Sequence, residues 1–205
     1  MNHSHESPRA RFLTAALISA CGLASSACYS VPKRPGASVD TVSSGKLERK
    51  NPIDVVIAPI ENASTNENAP IEDMRQALQT GLVKRRYSPL APEYVEKQVV
   101  DAAYKPGALH EDAVFKLKIE RWDESMWDVH TALIVKAQAH MIDPEDPSGG
   151  DLWTGKIDHR YEFGQWKDKF TTDAALRRYA CEQIANEILA ALPARTATPA
   201  PPPQH

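Results

Sequence analysis

Between residues 52 and 193 the apolar positions switch repeatedly from the period of a strand to that of a helix. "IDVVIAPI", Ile53 to Ile60, is a nearly continuous apolar run with β-branched residues, which predicts a strand in the middle of a sheet, covered on both faces. A polar loop with Asn62, Ser64 and Asn66 leads to Pro70, suited to a first helical turn, and then Ile71, Met74, Leu78 and Leu82 recur at helical spacing. "YSPLAP" predicts a short edge strand, because Pro89 has no N–H to give to a ladder. Pro92 opens a second helix with Val95, Val99 and Ala102 on one face and Gly107 beyond its end.

Three longer strands follow. Phe115, Leu117 and Ile119 alternate with Lys116, Lys118 and Glu120; after the polar "DESMWD" turn, Val129, Leu133, Val135 and Ala137 alternate with His130, Lys136 and Gln138, which makes a hairpin. Beyond the "DPEDPSGGD" turn, Trp153, Ile157, Tyr161 and Phe163 alternate with Thr154, Asp158, Arg160 and Glu162. Thr172 or Asp173 caps a last helix whose buried stripe is Leu176, Ala180, Ile184 and Ile188, ended at Pro193. The order β-α-(β)-α-β-β-β-α predicts an α/β fold, a mixed sheet of four to five strands with about three helices packed on it. Trp153, Ile157, Leu133, Val135, Ile57, Leu78 and Ile184 are expected in one core.

The ends read differently. Arg9 and Arg11 precede an uncharged stretch, "FLTAALISACGLASSAC", with the regions of a signal peptide. Ser19, Gly22, Ser25 and Ser26 dilute it too much for a spanning helix, which needs about 20 predominantly apolar residues. Small residues stand directly before two cysteines, in "ISAC" at Cys21 and "SSAC" at Cys28. Both resemble the lipobox of bacterial lipoproteins, in which the cysteine sulfur carries a diacylglyceryl group and becomes the mature amino terminus. Cys28 leaves an apolar region from Phe12 to Ala24, within the usual span of about 7–15 residues, and is preferred; Cys21, with Ile18 three places upstream, is the alternative. The expected organisation is a signal peptide over 1–27, a flexible tether over 28–51, one domain over 52–193 and a disordered Pro-rich tail over 194–205. Tyr29 after Cys28, where inner-membrane retention favours Asp, implies an outer-membrane lipoprotein facing the periplasm, with the inner membrane or the cell surface as alternatives.

Charge and composition narrow the partners. A formal charge of -3 and a pI near 6.2 give no basic excess to draw the chain to phosphates, so nucleic acid is a poor partner. The cysteines at 21, 28 and 181 form neither a CxxC nor a Cys/His zinc spacing, and no metal or cofactor is expected. Cys181, one residue off the helix stripe, reads as a small buried hydrophobe.

At the level of words, "VVIAPIENAS", "LQTGLVKRRYSPLAP" and "DLWTGKI" resemble the GNA-type DUF799 lipoproteins and, more distantly, the TolB amino-terminal domain and the curli-secretion lipoprotein CsgG. The resemblance covers Ile53 to Leu192 and implies an envelope protein acting as an accessory or assembly component. The loop "ENASTNENAP" departs from it, being polar and without a partner motif. A pore like that of curli needs membrane-spanning hairpins, and "DESMWD" is too short to add them.

No GxSxG, HExxH or phosphate loop is present, and a non-enzymatic, protein-binding lipoprotein is the expected function. A carrier of an apolar or lipid ligand and an unrecognised envelope hydrolase are the alternatives. His110, Glu111 and Asp112 are adjacent and read as a solvated cap; His130 and His140 lie too far apart along one strand to share a metal. Asp143, Glu145, Asp146 and Asp151 crowd one turn without a calcium-loop pattern and read as an acidic hairpin loop. Trp122 shares the parity of Lys116, Lys118 and Glu120, Trp127 sits in the following turn, and Trp166 lies past the last strand. These three are the candidate partner-binding residues, expected to be partly exposed at one end of the sheet, where rigid rings favour binding.

Overall fold

The structure, a computed structural model, describes residues 40–43, 45–99 and 104–196, all within one compact unit that begins at Pro35. Cys21, Cys28, Ala102 and the end of the Pro-rich tail lie outside the described residues. The strands are β1 (Asp40–Ser43), β2 (Asp54–Ile57), β3 (Glu61–Asn62), β4 (Ser88–Pro89), β5 (Ala113–Asp123), β6 (Ala132–Ile142) and β7 (Trp153–Glu162). The helices are α1 (Lys46–Lys50), α2 (Ile71–Lys84), α3 (Pro92–Val99), α4 (Trp127–His130) and α5 (Asp173–Ala190), with a 3-10 helix at Gly164–Lys169. The fold is α/β, as its apolar periods predict, with seven strands where four to five were expected.

The strand order is β1-β7-β6-β5-β2-β4, with β3 continuing beside β5. β2 is parallel to both β4 and β5, and the rest of the path is antiparallel. The expected central strand therefore stands one place from an edge. Val55 and Val56 are nonetheless both fully buried, so both of its faces are covered, as its apolar run requires. Pro89 does lie on the edge strand, where its missing donor costs nothing.

One face of the sheet carries α2 and α5. Phe115, Leu117, Ile119, Leu133, Val135, Trp153 and Ile157 meet Leu78, Leu82, Leu176, Ile184 and Ile188 there in one buried cluster. Thr172 caps α5 by accepting a hydrogen bond from the Ala175 N–H at 3.2 Å. Gly81 of α2 is the point of closest approach between the helices, since a Cβ there would collide with Leu189 of α5.

Three local expectations are corrected. Residues 40–43 and 45–50 are not an unstructured tether: β1 pairs with β7, Leu47 of α1 is 1% exposed, and Lys50 pairs with Asp143 at 2.6 Å and Glu145 at 3.2 Å. Residues 194–196 likewise belong to the domain, because the Arg195 N–H donates to Arg85 O at 2.9 Å and Thr196 exchanges hydrogen bonds with the Asn51 amide. Val129 and His130 are not the start of a strand. Thr131 takes a left-handed conformation at φ 51° and closes α4, so Val129 is left 77% exposed and β6 begins only at Ala132.

Candidate functional site

The three candidate tryptophans fall at the end of the sheet where β5 passes into β6, but the structure buries two of them. A β-bulge between Ile119 and Arg121 inserts one residue into β5 and reverses the parity beyond it. Trp122 is thereby placed opposite Val135 on the covered face and is 3% exposed. Trp127 opens α4 and turns under it, 4% exposed, with its ring 6.0 Å from that of Phe163. The exposure expected of Trp122 and Trp127 is therefore wrong. Trp166, in the 3-10 helix, is partly buried against Tyr179 at 5.4 Å, and the Lys169 ammonium lies 4.1 Å over its ring.

Arg177 of α5 holds this end together. Its guanidinium donates to Asp173 at 2.6 Å and to Glu124, while Asp173 accepts the Trp127 indole N–H at 2.8 Å and Glu124 accepts that of Trp122 at 2.7 Å. The same guanidinium lies 4.7 Å over the Trp127 ring. The bonds from Arg177 and Trp127 hold the Asp173 carboxyl below its ordinary pKa. Both indole donors and both carboxylates are satisfied, so this arrangement closes the core and offers a ligand no free polar group.

The acidic turn is also answered from within the chain. Lys46 donates to Gly149 O and Lys50 to Asp143 and Glu145, so ammonium groups from α1 stand where a cation would otherwise neutralise the loop. Asp151 Oδ2 lies 2.7 Å from His140 Nδ1, placed to accept a hydrogen bond from the imidazole. Thr154 is the cross-strand neighbour of His140, but among the described residues no hydroxyl bonds to that imidazole.

Glu111 is a residue whose role the sequence concealed. Expected in a solvated cap, it is 4% exposed and accepts from the Leu109 N–H at 2.9 Å, the Gly107 N–H at 2.6 Å and the Tyr104 hydroxyl. Burial alone would raise its pKa; these donors outweigh that and hold it below the usual carboxylate range. Asp112 beside it accepts the Ile53 N–H at 2.8 Å and the Asp54 N–H at 3.0 Å. Together they fix the loop that leads into β5.

Beside parallel strands such as β2, β4 and β5 an anion can bind where helices begin at the strand ends. Here a groove of about 380 Å³ lies between the starts of α2 and α3, but Glu72, Asp73 and Glu93 line it and already complement the helix dipoles. A phosphate entering it would meet three carboxylates.

Away from the buried Val56 and Val114, the other face of the sheet is solvated along β5, β6 and β7. Lys116, Lys136, Lys156, Asp158, Arg160 and Glu162 are exposed on it, with ion pairs between Lys118 and Glu61 at 2.7 Å, Lys136 and Glu120 at 3.1 Å, and Arg160 and Glu162 at 3.1 Å. Positive and negative groups alternate, with no basic stripe for nucleic acid.

No family model and no curated protein matches the chain. Solved structures do. A PelC dodecamer from Paraburkholderia phytofirmans aligns over 78% of this chain and 100% of that one, with a TM-score of 0.50 and 14% identity. Lipoprotein GNA1162 from Neisseria meningitidis aligns over 66% of this chain and 99% of that one, with a TM-score of 0.46 and 21% identity. The likeness to the PelC subunit is one of fold: this α/β architecture is shared over the whole of that chain.

Proposed function

We propose that this chain is a lipid-anchored lipoprotein of the bacterial envelope, without catalytic activity, that docks another protein at the membrane surface. The observation that carries the reading is the small-residue run "SSAC" ending at Cys28 after an apolar export-type segment. Two or three acyl chains on one cysteine anchor a protein durably, at about 0.8 kcal/mol for each buried methylene. Asp40, the first residue of β1, stands twelve positions after Cys28, so the anchor holds that strand within about 43 Å of the lipid surface. No helix among the described residues is long and apolar enough to cross a membrane.

That the PelC structure is a dodecamer supports an assembly role for this fold. A lipid carrier needs an apolar cavity, whereas the groove between α2 and α3 is walled by charged groups. For a hydrolase, the His140 and Asp151 pair lacks a bonded nucleophile.

The test is metabolic labelling with a fatty acid. Cys28→Ser abolishes the label and releases the protein from membranes, while Cys21→Ser keeps both. Label kept in Cys28→Ser and lost in Cys21→Ser moves the anchor to Cys21, and no label in the unmodified chain overturns the reading.

A further inference from the structure

The two ends of the sheet differ in what they expose. At the end where the acidic turn joins β6 to β7, Glu145, Asp146 and Ser148 stand in water. The opposite end is formed by α4 and the 3-10 helix, which lie side by side: the Phe163 N–H donates to Thr131 O at 2.8 Å, and a Cβ on Gly164 would stand 3.6 Å from His130 O. Val129 is 77% exposed there, and Trp166 and Phe170 are only partly buried, packed on Tyr179 at 5.4 and 5.1 Å. Lys167 and Lys169 are exposed between these two rings in sequence, with the Lys169 ammonium 4.1 Å over Trp166.

The direction of β1 leads to the same end. β1 runs antiparallel to β7, with Asp40 opposite Lys156 and Ser43 opposite Trp153, so the chain enters β1 from the side of Glu162. Glu162 stands six positions past Lys156, about 20 Å along the strand, and the twelve positions from Cys28 to Asp40 reach about 43 Å. An anchor at Cys28 therefore allows the end with α4 and the 3-10 helix to meet the lipid while β1 stays paired.

We infer that this end of the sheet, with Val129, Trp166 and Phe170 as its apolar contacts and Lys167 and Lys169 as its cations, rests on the phospholipid surface to which the chain is anchored. The inference deepens the reading of Cys28 as a lipid anchor and rests on it. Aromatic rings such as that of Trp166 settle at the level of the headgroups, and lysine stems lie along apolar surface while their ammonium groups reach the phosphates. The exposed Asp128 and Asp168 set the depth, because carboxylates beside the rings keep this end in the headgroup layer and out of the hydrocarbon. The acidic turn then points away from the lipid phosphates, which would repel Glu145 and Asp146.

The test uses the full lipidated chain in phospholipid vesicles, with a fluorophore at Val129→Cys on this end or at Ser148→Cys on the other. The Cys181 thiol does not compete for the label, since burial pushes its pKa up to about 12. Brominated lipid quenches the probe at position 129 and not the probe at position 148. It also quenches the tryptophan emission of the unlabelled chain, and Trp166→Phe removes that loss, the other three tryptophans being buried. Flotation with the vesicles reads the anchor separately. In protein that floats, quenching at both probes, at neither or at position 148 alone, or tryptophan emission that brominated lipid leaves unchanged, overturns the proposal and leaves the anchor standing. Protein that does not float overturns both.

Discussion

The two faces of the sheet are built from alternate residues of the same strands, yet they have opposite roles. On the covered face Phe115, Leu133, Trp153 and Ile157 are each at most 2% exposed and share one cluster with α2 and α5. On the solvated face Lys116, Lys136 and Lys156 stand in water, and most of the ion pairs formed there lie between partly exposed side chains. Exposed pairs of this kind contribute about 0–1 kcal/mol each, whereas a large buried side chain contributes several. Folding is therefore decided mainly on the covered face, with the exposed charges of the other face contributing little.

The largest expected effect is on the covered face. Trp153→Ala removes a fully buried indole stacked on Phe115 and lowers stability by about 3–5 kcal/mol, read as the denaturation midpoint. An unchanged midpoint would break the comparison outright. The aromatic end sharpens it: Trp127→Ala should also cost about 3–5 kcal/mol, because the ring is buried and its N–H is held by Asp173. Trp166→Ala, partly exposed, should cost less, about 1–2 kcal/mol. Equal losses for the two variants would remove the distinction between closed core and surface.

That contrast marks the limit of the sequence. Alternation in Phe115 to Ile119 and Leu133 to Ala137 was enough to assign both faces, since period 2 leaves an antiparallel strand little choice. The position of Trp122 could not be read the same way, because no residue type announces the bulge after Ile119. Residues 40–50 looked like a tether because their polar composition hides two long-range facts, the register of β1 on β7 and the reach of Lys50 to the acidic turn. Glu111 was concealed for a similar reason: its donors lie on a loop whose path composition does not specify. The Cys28 motif, by contrast, is wholly local and legible in the sequence alone.

A smaller effect is expected at Glu111, and it depends on pH. Its folded pKa lies below the ordinary value of 4.5, so its contribution is fully present above that value and is lost as pH falls through the folded pKa. Glu111→Gln should cost about 1–3 kcal/mol at neutral pH and flatten the acid limb of the stability curve. An acid limb identical to that of the unmodified chain would show that another carboxylate governs it. Smallest of all, Lys116→Ala on the solvated face should shift stability by no more than about 0.5 kcal/mol. A loss of several times that size in thermal unfolding would mean that the solvated face also carries the fold.

The account of a ladder that buries alternate residues of β7 on the covered face is tested most directly by residue-resolved amide hydrogen exchange along that strand. The ladder predicts slow exchange at Ile157, His159 and Tyr161, since their N–H groups bond to β6. Fast exchange at Ile157, His159 and Tyr161 under native conditions would contradict the account.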